Sequence, residues 1–192
     1  MSGLDDNRLV RAFAEFRGAG RKTLVPFVTA GFPDVETTGA LLRDFEARGV
    51  GVCELGIPFS DPIADGPTIQ SSYTRVLEGG FRTADAMDLV RDYRSAGGAM
   101  ALVAMVSYSI VFRRDAGEFL SGAADAGFDG VLVPDLPLEE AGQFEPLAAG
   151  RGLANVMLVA PTTPPQRRIE ISRHCRGFIY YVSVAGITGP PR

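Results

Sequence analysis

The chain has 192 residues, 46% of them hydrophobic and 22% charged, enough for one domain with a sizeable core. Its formal net charge of −4 excludes the basic surface of a nucleic-acid binder, and no apolar run approaches the roughly 18 residues of a membrane span. Its two cysteines, Cys53 and Cys175, have no metal-like spacing and exclude a disulfide framework, which suits a reducing cytoplasm.

The first residues, Met1 to Asp6, are acidic and lack a signal-peptide core. Leu9, Val10, Phe13 and Phe16 recur at helical spacing and predict a helix ahead of the first strand. The apolar run Leu24–Thr29 predicts strand one. Val35, Leu41, Leu42 and Phe45 predict a helix after Pro33-Asp34. Val50–Leu55 is the second strand, with a helix over Ile69–Leu77 behind it. Met87, Leu89, Val90 and Tyr93 follow Thr83, a candidate N-cap, and lead to strand Ala101–Val106. Phe119, Leu120 and Ala123 follow Asp115 and precede strand Gly130–Val133. Phe144 and Leu147 follow Pro137 and precede strand Asn155–Val159. Ile169 and Ile171 follow Pro164-Pro165, which suit a first helical turn, and strand Phe178–Ser183 comes last.

The 23 Gly and 13 Pro fall between these runs as punctuation, with no linker or low-complexity tract. One domain over residues 1–192 is expected. Strands that alternate with helices and are rich in Val and Leu imply a parallel sheet buried on both faces, either doubly wound or closed as a barrel. No Gly-x-Gly-x-x-Gly follows the first strand, which weakens a dinucleotide-binding fold. The acidic and Gly/Pro-rich signals sit after strand C-terminal ends, where barrel enzymes keep their chemistry.

The most informative segment is Cys53-Glu54-Leu55-Gly56-Ile57-Pro58-Phe59-Ser60-Asp61-Pro62-Ile63-Ala64-Asp65-Gly66-Pro67-Thr68-Ile69-Gln70. Glu54 ends an apolar strand. Burying a carboxylate there costs several kcal/mol without compensation and raises its pKa towards the range of a general acid/base. Asp65 follows on the adjoining loop, so the two make a candidate proton-transfer pair with separated pKa values. Each also has a structural reading. Glu54 fits a buried carboxylate paired with an arginine or a backbone N–H, and Asp65 fits the N-cap of the following helix. Asp61 reads as a turn former. His174, in the basic stretch Arg173-His174-Cys175-Arg176, suits a helix C-terminus. No metal site is expected.

The run from Glu54 to Gln70 closely resembles the signature of the tryptophan synthase alpha chain family. Leu24 to Asp34, Gly130 to Pro137, Leu158 to Thr163 and Tyr180 to Ser183 with Gly186 to Gly189 resemble its other strand-and-loop blocks, in order. The resemblance implies a (β/α)8 TIM barrel with an extra N-terminal helix. It also implies retro-aldol cleavage of indole-3-glycerol phosphate to indole and glyceraldehyde 3-phosphate. Glu54 matches the family's catalytic glutamate and Asp65 the aspartate at the indole nitrogen. Tyr180 matches a tyrosine beside the glutamate. Phe27, Ile69 and Leu132 match apolar positions around the indole, and Thr188 matches a threonine of the closing loop after strand six. No cofactor is implied for this chain. Pyridoxal phosphate is implied only for the partner, a beta chain in an alpha2-beta2 tetramer.

Two departures stand out. Ser107-Tyr108-Ser109 replaces the Tyr-x-Asn of many members, and Val184 replaces an Arg or small polar residue. A barrel of this kind takes about 250 residues and eight units. Six are legible here, so the sequence reads as a barrel truncated after strand six, without the phosphate-binding loops that follow strands seven and eight. Two other readings are another phosphate-binding barrel of amino-acid biosynthesis and an inactive alpha-like chain that only docks on a partner.

Overall fold

A computed structural model describes residues 4, 6–62, 65–113 and 115–183. Helix α1 (Arg8–Gly18) precedes β1 (Phe27–Thr29), α2 (Val35–Ala47) and β2 (Val52–Gly56). Two helices, α3 (Pro67–Glu78) and α4 (Thr83–Ser95), lead to β3 (Ala101–Met105). The short α5 (Tyr108–Phe112) and α6 (Ala116–Ala126) lead to β4 (Gly130–Leu132). Then come α7 (Leu138–Ala149), β5 (Ala154–Val159), α8 (Pro165–His174) and β6 (Ile179–Tyr181).

All six strands are parallel and pair in sequence order, β1-β2-β3-β4-β5-β6. This order settles what periodicity left open. A doubly wound sheet reverses its strand order at a switch point. Here every crossover runs the same way, and right-handed connections then put the helices on one face. The result is an arc of a (β/α) barrel. Among the described residues β1 and β6 each have one sheet neighbour.

The alternation of side chains along each strand divides the core in two. Cys53, Leu55, Leu102, Ala104 and Val131 point outwards and pack with Leu42, Leu89, Tyr93 and Leu120 of the helix layer. Val52, Ala101, Val103, Leu132, Ala154 and Val156 point into the lumen and pack with Leu9. The extra helix α1 therefore plugs the N-terminal end of the arc. Asn7 caps it by accepting from the Leu9 and Val10 N–H groups at 2.9 and 3.2 Å. The same side chain donates to the Asp129 and Gly152 carbonyls, both at 2.7 Å. Leu9 is fully buried where only glycine leaves room. A Cβ on Gly130 or on Gly177 would lie 2.9 Å from Leu9 Cδ2. Phe13 stacks on Phe178 at 4.8 Å between ring centroids.

Asp129 holds the same end together. Its carboxylate, 3% exposed, pairs with Arg94 at 2.7 Å and Arg8 at 2.9 Å, and accepts from Leu102 N at 2.8 Å. Arg94 also donates to the carbonyls of Gly98, Met100 and Gly127.

Several local expectations shift. β1 starts at Phe27 and not at Leu24, because Pro26 has no N–H for a ladder and Leu24 is 69% exposed. β6 is shorter than Phe178–Ser183 for want of a ladder partner on its far side among the described residues. Thr83 is the first residue of α4 and not its cap. The cap is Arg82, whose N–H is accepted by Asp85 at 2.6 Å. α5 was not anticipated. No described helix is long and apolar enough to cross a membrane.

Removing one member of a buried ion pair leaves the other charge uncompensated, at a cost of about 3–5 kcal/mol. Asp129→Ala should therefore lose stability of that order in urea unfolding. Arg8→Ala, which leaves a half-exposed partner position empty, should lose under about 1 kcal/mol. Equal losses for the two variants would refute Asp129 as the anchor.

Candidate active site

With α1 filling one end, the open end of the lumen is the C-terminal mouth of the strands. Glu54 sits on the lumen face of β2, in register with Phe27 of β1 and Val103 of β3. It is 3% exposed, and among the described residues its Oε1 has no hydrogen-bond partner. Burial pushes its pKa up to about 7. The structural reading of Glu54 called for an arginine or an N–H on this carboxylate, and the described residues supply none to Oε1. Tyr180 of β6 is half-buried. Its hydroxyl pKa is raised first by burial and then by the charge of Glu54, which acts across the lumen.

Phe27 and Leu132 occupy the same face. Leu132 is fully buried between Met105 and Val156 in the ladder. The Phe27 ring lies directly over Gly56, so close that a Cβ there would overlap Phe27 Cζ. Gly56 thus leaves the space above Glu54 to an aromatic ring.

Asp65 lies on the rim. It does not cap α3. Gly66 is the cap, with no side-chain bond, and Pro67 opens the helix. Because Pro67 has no N–H and presets a helical φ, the helix starts without a carboxylate. Gln70 fixes the loop by donating from Nε2 to the Asp65 and Pro62 carbonyls at 2.8 and 3.1 Å. The Asp65 side chain is left half-buried, with its pKa raised by burial and then by the charge of Asp135. Ile69, half-buried, stands on the first turn of α3, which roofs β1 through a Thr29–Ser72 hydroxyl contact of 2.8 Å. Asp61 is exposed and accepts from the Ser60 hydroxyl at 2.7 Å, as a turn residue does. Thr188, Val184 and the loop Gly186–Pro191 lie outside the described residues.

The departure at Ser107-Tyr108-Ser109 has a structural role. Ser107 caps α5, and its hydroxyl donates to Asp135 at 3.0 Å while Tyr108 N donates to the same carboxylate at 2.7 Å. Sequence reasoning did not single out Asp135, although it stands in the Gly130–Pro137 block directly after a strand. It also passed over Tyr73, which lies beyond the acidic loop on α3. Among the described residues no cluster of His, Cys, Asp or Glu is arranged to hold a metal. A cleft of about 470 Å³ lies outside the lumen between α2, α3 and α4, lined by Asp34, Arg75, Phe81 and Asp85 among others, and none of the anticipated site residues lines it.

A (β/α) barrel with a desolvated carboxylate at the C-terminal mouth and further acids on the adjoining loops defines an acid/base barrel enzyme. Residues 13–192 match the family model described as tryptophan synthase alpha chain, and the chain belongs to that family. It is 44% identical over 183 residues to the tryptophan synthase alpha chain of Chloroflexus aggregans, covering 95% of this chain and 68% of that one. The relative from Synechococcus elongatus is 45% identical over 178 residues, covering 92% and 66%. The chain thus spans about two thirds of the length of these relatives. The solved tryptophan synthase subunit alpha of Legionella pneumophila superposes with a TM-score of 0.88 at 34% identity, covering 92% of this chain and 68% of that one. A chain of the tryptophan synthase complex of Pyrococcus furiosus superposes at 0.79 with 40% identity, covering 83% and 65%.

A raised carboxylate pKa makes the folded state bind more protons than the unfolded chain between the two values. Stability should therefore fall as pH rises from about 4.5 to about 7, by a few kcal/mol in total. Glu54→Gln removes this loss. Its stability advantage over the wild type should be small at pH 4.5 and grow until pH 7, as read by urea unfolding at several pH values. A constant difference across that window would contradict a desolvated Glu54.

Proposed function

We propose that this chain is the alpha subunit of a tryptophan synthase and cleaves indole-3-glycerol phosphate to indole and glyceraldehyde 3-phosphate. The observation that carries this reading is the buried Glu54 carboxylate at the mouth of the lumen, with one oxygen unpartnered among the described residues and its pKa pushed up to about 7. Family membership over nearly the whole chain supports the substrate.

Three proton movements are needed. Glu54, protonated near pH 7, donates to carbon 3 of the indole and makes an indolenine leaving group. Asp65, half-buried on the rim, accepts the indole N–H proton in the same step. The glycerol hydroxyl next to the scissile bond then gives its proton to the Glu54 carboxylate. The carbon–carbon bond breaks, its electrons return to the ring, the ring nitrogen takes its proton back from Asp65 to give indole, and the aldehyde leaves. A group that donates and later accepts works best when its pKa lies near the operating pH. Burial at the strand end provides that. Phe27, Leu132 and Ile69 are the apolar walls for the indole ring, Tyr180 steadies the Glu54 side of the pocket, and Thr188 belongs to the loop that covers it. The chemistry is proton transfer, so this chain requires no cofactor of its own. Pyridoxal phosphate belongs to the beta partner that takes up the indole. The partner is assigned as the beta chain of an alpha2-beta2 tetramer, which the likeness to the Pyrococcus furiosus complex supports. The cytoplasm is assigned as the compartment, where Cys53 and Cys175 persist as free thiols.

Indole release by the full gene product tests this reading. Glu54→Gln should stay folded and lose at least about 10²–10⁴-fold in turnover. Retention of more than about a tenth of wild-type turnover would remove Glu54 from the chemistry.

Adding the beta chain should raise indole release. Asp61→Ala, an exposed change on the rim loop, should reduce that stimulation and leave the unstimulated rate alone. Equal stimulation of both forms would take Asp61 off the route between the subunits.

A further inference from the structure

The Asp65 side chain makes no hydrogen bond among the described residues, so its place on the rim is set through its backbone. The Asp65 N–H donates to the Pro62 carbonyl at 3.1 Å. One side chain then reaches both residues. Gln70 donates from Nε2 to the Asp65 carbonyl at 2.8 Å and to the Pro62 carbonyl at 3.1 Å. A primary amide carries two N–H groups, so each carbonyl receives its own donor. Among the described residues no other side chain bonds to either carbonyl. Gln70 is itself held firmly. It stands beside Ile69 on the first turn of α3, and its backbone N–H donates to the Gly66 carbonyl at 3.0 Å. The helix is seated on the sheet by the Ser72–Thr29 hydroxyl contact of 2.8 Å. Tyr73, 3% exposed, packs its ring against Phe59 at 5.8 Å between centroids and brings its hydroxyl over Gly56, 2.8 Å from where a Cβ would stand. α3 is thus fixed to β1 and to the end of the strand that carries Glu54, and Gln70 passes that position on to Asp65.

We infer that Gln70 is a positioning residue of this site, whose side-chain amide clamps the Pro62 and Asp65 carbonyls and so holds the Asp65 carboxylate towards the indole nitrogen. The inference deepens the reaction proposed above and rests on Asp65 being its proton acceptor. The direction of the bonds gives the reason for a glutamine here. An aspartate ahead of a helix ordinarily ties its loop down by accepting from the first N–H groups of that helix. Its carboxylate is then occupied. α3 starts instead at Gly66 and Pro67 with no side-chain cap. Gln70 runs the tie the other way, from a helix side chain to loop carbonyls, and leaves the carboxylate free for substrate. Without the clamp the loop keeps its Asp65–Pro62 backbone bond but loses its reference to α3. An offset of about 1 Å in a reacting group costs up to about a hundredfold in rate.

Gln70→Met keeps the length of the side chain and removes both donors. Gln70→Asn keeps the amide and draws it back by one methylene, out of reach of the two carbonyls. Indole release by the full gene product is measured for each variant, alone and combined with Asp65→Asn, and hydrogen exchange at the Asp65 amide is followed in parallel. Each Gln70 variant should lower kcat about tenfold to a hundredfold with KM little changed. Exchange at the Asp65 amide should speed up about tenfold or more. In the Asp65→Asn background the Gln70 changes should cost nothing further, because no acceptor is left to place. A wild-type kcat in both Gln70 variants overturns the inference. So does a loss that persists in full beside Asp65→Asn, which would mean that Gln70 supports the pocket by some other route. A rise in KM alone overturns it too, since the loop would then serve binding only. A wild type without indole release overturns the proposed function, and exchange at Asp65 then judges the clamp: an unchanged rate in Gln70→Met rejects it.

Discussion

The Asp129 carboxylate is the interaction on which the rest of the arc depends. It sits at the start of β4 and joins α1 through Arg8, α4 through Arg94 and β3 through the Leu102 N–H. Its carbonyl reaches β5 through the Ala154 N–H and α1 through Asn7. A short parallel strand such as β4, three residues long, cannot fix its register alone. A charged side chain with satisfied partners on each neighbouring element can. With one end of the lumen bolted and plugged by Leu9, chemistry is left to the opposite mouth.

Glu54 and Asp129 have the same exposure and opposite fates. Asp129 meets two guanidinium groups and a backbone N–H, so its charge is compensated. Glu54 meets Phe27, Val103 and Val52 along the wall, and its Oε1 is left without a partner among the described residues. Desolvation then dominates, and the group becomes a proton donor near neutral pH. The compensated carboxylate stands at the closed end and the uncompensated one at the open mouth. That division of labour follows from the polarity of parallel strands, whose C-terminal ends lead into the long loops.

The rim shows how a local signal misleads when it is read without its neighbours. Asp65-Gly66-Pro67 reads as a capping aspartate, yet the proline opens α3 and Gly66 takes the cap position. The carboxylate so released lies within electrostatic reach of Asp135 and of the Tyr73 hydroxyl. Likewise Ser107, read from the resemblance as a departure, anchors Asp135 with its hydroxyl. Thr83 was misplaced by one residue because Asp85 can serve the Arg82 N–H as well as a threonine can serve its own helix.

Strand-helix alternation, the apolar runs and the lone carboxylate at the end of one of them are properties of the chain in order, so the sequence by itself determined the fold class and pointed to Glu54. The signature around Asp65 identified the family on the same basis. Which residues face each other across the lumen is not encoded in any local pattern. Tyr180 comes within reach of the charge of Glu54, Tyr73 hangs over Gly56, and Asp129 gathers two arginines from helices 35 and 121 residues away in sequence, only because the parallel sheet pairs its strands in order and curves with its helices packed against it. Period-two alternation says that a side chain leaves the sheet on one face. The curvature and the register of neighbouring strands decide what it finds there, and those belong to the tertiary structure alone.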